Sequence, residues 1–144
     1  MTGADLVVER FVAAPPDEVY RYLADSEHWA RWQGVEASHD PRPGGLFRLQ
    51  MANGMSARGQ FLDLDPPHRV VFTWGWVDHP GLPPGSTTVE IVLTPVENGT
   101  MIRLTHQGLP VDEFELHRQG WNHYVARLET VSSGDDPGPD PGPG

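Results

Sequence analysis

Two histidines and three tryptophans are the side chains here with chemistry to offer and a pattern that places them. His106 closes an alternating stripe after Ile102 and Leu104, so it points the same way as those apolar residues. His117 falls one helical turn after Phe114 and one before Trp121. An imidazole facing inward can bond a ligand carbonyl or hydroxyl, or move a proton near neutral pH. It can equally be a core histidine, bonded to the start of the last helix or to a backbone carbonyl. Trp74 and Trp76 alternate with Thr73, Gly75 and Val77, so both rings leave the strand on one side. There they either line a pocket for a flat or aliphatic ligand or fill the core. A zinc site wants at least three protein ligands. Glu113 and Glu115 fit exposed helix positions, so no metal is expected. The chain carries no GxSxG elbow, phosphate-cradling glycine loop, HExxH or dinucleotide fingerprint. No catalytic residue and no cofactor is assigned.

The elements that hold these residues follow from periodicity. Val111–Val131 repeats Phe114, His117, Trp121, Tyr124, Val125 and Leu128 at steps of three and four, the period of an amphipathic helix. Gly120 sits in its middle, at a cost of about 1 kcal/mol relative to Ala. Close approach of the sheet, or of a ligand, would offset that, and packing is the reading preferred. Residues 6–13 have strand composition, with Glu9 or Arg10 facing inward or released to solvent by local twist. Pro15-Pro16 and the acids Asp17 and Glu18 open a helix whose stripe is Val19, Tyr20 and Leu23. Asp25-Ser26 caps a second short helix carrying His28, Trp29 and Trp32, ended by Gly34. Period-two strands then cover residues 35–40, 46–51, 55–63, 68–77, 87–95 and 100–107, with Phe47 and Phe72 on inward stripes and Asn53-Gly54 as a hairpin turn. The Pro/Gly loop 78–85 is long for a hairpin, as loops at functional mouths often are. The order β-α-α-β6-α describes an α+β fold.

Length and composition fit one domain, residues 1–131, followed by a Pro/Gly/Asp tail, 132–144, expected to be disordered because it has nothing apolar to bury. The formal charge is −10. Three of the acids lie in the tail, which leaves about −7 on the domain. Such a surface repels phosphate backbones, so nucleic acid is not an expected partner. No cysteine is present, and no window reaches the length of a membrane span. A cytoplasmic protein is the expectation, and a homodimer is compatible with it.

The segments AAPPDEVYRYLADSEHWARW (13–32), GLFRLQM and ARGQFLDLDPPHRVVFTWGW (45–76), STTVEIVLTPVENGTMIRLTHQGL (86–109) and HRQGW with RL (117–128) resemble the START-related helix-grip (SRPBCC) superfamily. Within it they are most similar to the AHSA1-like branch, named after the activator of Hsp90 ATPase. The resemblance implies a seven-stranded antiparallel sheet wrapped round the C-terminal helix, two short helices at one end, and an apolar cavity between sheet and long helix. Its members include lipid and polyketide binders, cyclases and dehydratases, and co-chaperone domains. The first expectation is non-enzymatic binding of a hydrophobic small molecule by Trp32, Phe47, Phe72, Trp74, Trp76, His106, His117 and Trp121, with Leu82 and Trp32 at the mouth. A cyclase or dehydratase using His106 or His117, and a co-chaperone domain, are the alternatives.

Overall fold

The computed structural model describes residues 5–140. Seven strands form one antiparallel sheet: β1 (Leu6–Val12), β2 (Glu36–His39), β3 (Leu46–Gln50), β4 (Ser56–Asp65), β5 (Arg69–Trp74), β6 (Thr87–Val96) and β7 (Gly99–Gln107). Their spatial order is β1-β7-β6-β5-β4-β3-β2. Every strand from β2 to β7 pairs with its sequence neighbour, while β1 crosses to β7 with Leu6 opposite His106. Helices α1 (Pro16–Ala24) and α2 (Ser26–Trp29) follow β1. A 3-10 turn (Val111–Glu113) leads into α3 (Phe114–Ser132). This is the helix-grip arrangement.

Local signals explain the boundaries. Pro16 opens α1 after an extended Pro15, where a missing N–H is harmless. The Asp25 carboxylate accepts the backbone N–H of His28 and caps α2. Gly34 takes φ +77°, and a Cβ there would lie 2.7 Å from the Gln50 carbonyl oxygen, so the turn from α2 to β2 requires glycine. Arg10 and Glu9 are both exposed, and Arg10 pairs with Glu129 of α3.

Stripes read from the sequence point where expected: Val89, Ile91 and Leu93 of β6 and Ile102, Leu104 and His106 of β7 are buried. The core nevertheless has two unlike halves. Under β3–β5 the ring of Trp29 packs on the sheet and Trp32 packs against Trp29 at 4.8 Å between centroids, both fully buried. Trp29 meets Phe47 edge-on at 5.3 Å between centroids, and Phe47 stacks on Phe72 at 4.3 Å. This end is solid. Between α3, the end of β5 and the β3–β4 turn, the packing leaves space.

The tail differs from its compositional reading. The helix runs through Ser132, and residues 133–140 fold back along it. Arg127, almost fully buried, donates to the carbonyls of Trp32 and Gly138 at 3.0 and 2.8 Å and also reaches that of Pro137. The Asp140 carboxylate meets His123 Nε2 at 3.0 Å and the backbone N–H of Gly34. These bonds are polar and mostly to backbone, which is why a count of apolar residues misses them. Residues 141–144 of the expected tail, and residues 1–4 of the expected domain, lie outside the described residues.

Candidate functional site

The space beside α3 is a cleft of about 470 Å³. Its floor is Trp74 and Trp76, from β5 and the residues just after it. One wall is α3, presenting Leu116, His117, Gly120, Trp121 and Tyr124. The opposite wall is the β3–β4 turn, with Met51 and Met55, joined by Gln33 from the turn after α2. His79 and Glu113 stand at the mouth. The indoles form a continuous surface: Trp74 lies 5.2 Å from Trp76 edge-on and 5.1 Å from Trp121.

The two histidines serve the walls. Trp121 Nε1–H donates to His106 Nδ1 at 2.9 Å. The other nitrogen, Nε2, must then carry the proton, which it donates to Thr87 Oγ1 at 2.8 Å. The Thr87 hydroxyl in turn donates to the Trp74 carbonyl at 2.7 Å. His106 is wholly buried and sits behind Trp121 rather than in the cleft. Burial, with the adjacent His117, pushes its pKa down to about 3, so it is neutral. His117 is used the same way: Nε2 accepts Trp76 Nε1–H at 3.1 Å, and Nδ1–H donates to the Glu113 carbonyl at 2.9 Å. Burial lowers its pKa too. The rings lie edge to face, 5.5 Å apart. Each imidazole thus accepts from a tryptophan at one nitrogen and donates from the other, the satisfied-core reading of His106 rather than the proton-carrying one.

Of the eight side chains expected at the site, Trp74, Trp76, His117 and Trp121 line the cleft. His106 supports it from behind. Trp32, Phe47 and Phe72 are elsewhere, fully buried in the solid aromatic half. Trp32 does not stand at the mouth, since its Nε1–H is bonded to the Tyr22 carbonyl. Leu82 is also core, 1% exposed. An inward stripe shows which way a residue points, not whether another side chain already fills the space before it.

Gly120 reverses the packing expectation. A Cβ added there meets nothing within 4 Å, and the residue lines the cleft. No close approach of the sheet requires glycine; its missing side chain is part of the open volume.

Glu113 also departs from its reading as an exposed helical residue. It ends the 3-10 turn, whose tighter winding changes its phase relative to α3. Its carboxylate, 16% exposed, faces His79 Nε2 at 3.2 Å. His79, from the Pro/Gly loop, was not singled out by the sequence; the loop's length was the only signal. Tyr124, the remaining aromatic wall, bonds the Asp140 carboxylate, and burial followed by that charge drives its pKa up.

Residues 13–133 match the family described as Activator of Hsp90 ATPase homolog 1-like protein. The chain belongs to this family. An AHSA1-like protein of Rhizobium etli, solved by NMR, is 42% identical, with 97% of this chain and 89% of that one covered and a TM-score of 0.71. DynU16, a protein of the dynemicin biosynthetic locus, is 25% identical over 93% of this chain and 49% of its own, with a TM-score of 0.80. The human activator of 90 kDa heat shock protein ATPase homolog 1 is 27% identical over 81% of this chain. The chain spans about a third of the length of the curated relatives it matches. Among the described residues, no helix is long and apolar enough to cross a membrane, and no group of three or more His, Asp or Glu side chains could hold a metal ion.

Proposed function

We propose that this AHSA1-like domain binds a hydrophobic small molecule in the cleft between its sheet and α3, without transforming it. The observation that carries this reading is Gly120. A mid-helix glycine costs about 1 kcal/mol relative to Ala, and no neighbour here demands one. What it preserves is open volume against three indoles. An apolar ligand placed there would gain about 25 cal/mol for each Å² withdrawn from water.

The fully engaged nitrogens of His106 and His117 favour binding over cyclase or dehydratase chemistry. A proton carrier at either position would first have to release a tryptophan. The similarity to DynU16, a protein of the dynemicin biosynthetic locus, is consistent with a small-molecule ligand.

The test is native mass spectrometry of protein purified from its own host, paired with thermal melting against a library of lipids and aromatic compounds. A co-purified small molecule, or a rise in melting temperature with an apolar compound, is the expected result. A protein that is empty, and that no library member stabilises, would overturn the reading.

A further inference from the structure

We infer that the cleft selects apolar ligands carrying a basic amine, with the cation held at the mouth between the Glu113 carboxylate and the indole of Trp76. This rests on the ligand-binding reading above and specifies the chemistry of the same site.

The inference begins with the charges that face the cleft. Among the described residues, Glu113 is the one acid or arginine in the lining; none of the chain's arginines reaches it, and the chain has no lysine. The histidine within, His117, donates from one nitrogen and accepts at the other, an arrangement only the neutral ring can make. A fatty acid or other carboxylate would therefore enter beside a partly buried carboxylate with no arginine or lysine to receive it, and with His79 already engaged by Glu113. Burying an unpaired charge is strongly unfavourable. Arg118, the nearest arginine in sequence, points away and pairs with Glu115 on the outer face of α3.

A cation meets the opposite situation. Trp74, Trp76, Trp121 and Tyr124 line the cleft, with Trp76 the partly exposed ring among them, and aromatic quadrupoles attract ammonium groups most strongly where water is excluded. Glu113 adds a full negative charge. His79 takes one of the roughly four acceptor directions of that carboxylate, which leaves it able to accept an ammonium N–H as well. The formal charge of −10 on the whole chain adds a long-range attraction of the same sign.

The experiment uses three probes with one apolar body: naphthylmethylamine, naphthylmethanol and naphthoate. Their affinities are measured by calorimetry for the full chain, Glu113→Gln and Gly120→Leu, with circular dichroism and melting confirming that each variant is folded. The amine is expected to bind about tenfold tighter than the alcohol, a difference of about 1.4 kcal/mol, with naphthoate weakest. Glu113→Gln, which keeps the size of the side chain, should bring the amine to the level of the alcohol. Gly120→Leu should weaken all three probes alike. In the unaltered chain the preference for amine should persist from low to physiological salt, because a partly buried contact is screened less than surface charge.

Naphthoate binding as tightly as the amine would overturn the inference while leaving ligand binding intact. So would an amine preference that survives Glu113→Gln or vanishes with added salt, since either would assign it to overall surface charge. If none of the probes binds, the ligand-binding reading loses support and the amine preference falls with it.

Discussion

At the scale of single residues, the site is governed by what its histidines hold. His106 accepts from Trp121 and donates to Thr87, tying α3 to β6 through neutral imidazole. Replacing it with Ala strands the buried Trp121 indole N–H, at about 1–3 kcal/mol, and takes one of two bonds from the Thr87 hydroxyl, which still donates to the Trp74 carbonyl; with the space the ring vacates, unfolding free energy should fall by about 3 kcal/mol in chemical denaturation. The same residue makes stability depend on pH. Its ring titrates at about 3 in the fold against 6.5 when unconstrained. Between those values the unfolded chain binds more protons, so stability is complete above about pH 6.5 and declines as pH falls toward 3. His39, held down to about 4 by its own burial, adds a loss of the same sign. Denaturant midpoints measured from pH 7 to 4 should therefore fall, and His106→Gln, which keeps a donor and an acceptor without the titration, should make that slope shallower. An unchanged slope would show that His106 does not titrate as described.

At the scale of elements, α3 does three things: it buries Leu128 and Val125 in the core, walls the cleft with Gly120, Trp121 and Tyr124, and anchors the tail through Arg127 and His123. The aromatic stripe, spaced at three and four, made the first two visible in sequence. The strands were equally visible, since Ile102, Leu104 and His106 leave no doubt which face is inward. Three features were hidden, each for its own physical reason. Glu113 was placed by the wrong winding, because a 3-10 turn and an α-helix look alike in three residues. Phe47, Phe72 and Trp32 point inward as read, but Trp29 occupies the space before them. The tail docks through backbone carbonyls and one carboxylate, which no hydrophobic pattern records. Its attachment predicts that ending the chain after Ser133 lowers the melting temperature modestly, because Arg127 keeps its bond to the Trp32 carbonyl. Arg127→Ala should cost more, about 1–3 kcal/mol, because that carbonyl then loses its donor as well.

At the scale of the whole molecule, the sheet has more length than its helices can cover. Two tryptophans of the α2 region fill the β3–β5 half, and the α3 half is left with a cleft floored by Trp74 and Trp76. The fold thus joins a filled aromatic core to an adjoining aromatic cleft, where Trp76 is partly exposed and Trp74 and Trp121 are each 2% exposed. The proposed ligand binding depends on that second region staying open, and Gly120 is where its openness can be changed without touching the rest. The direct measurement is a size series at this position, Gly120→Ala and Gly120→Leu, following both denaturant stability and affinity for naphthylmethanol. Ala should raise stability by up to about 1 kcal/mol, and affinity should fall stepwise from Gly through Ala to Leu. Affinity unchanged across the series would contradict the account, because a ligand indifferent to the volume in front of Gly120 is not bound in the cleft.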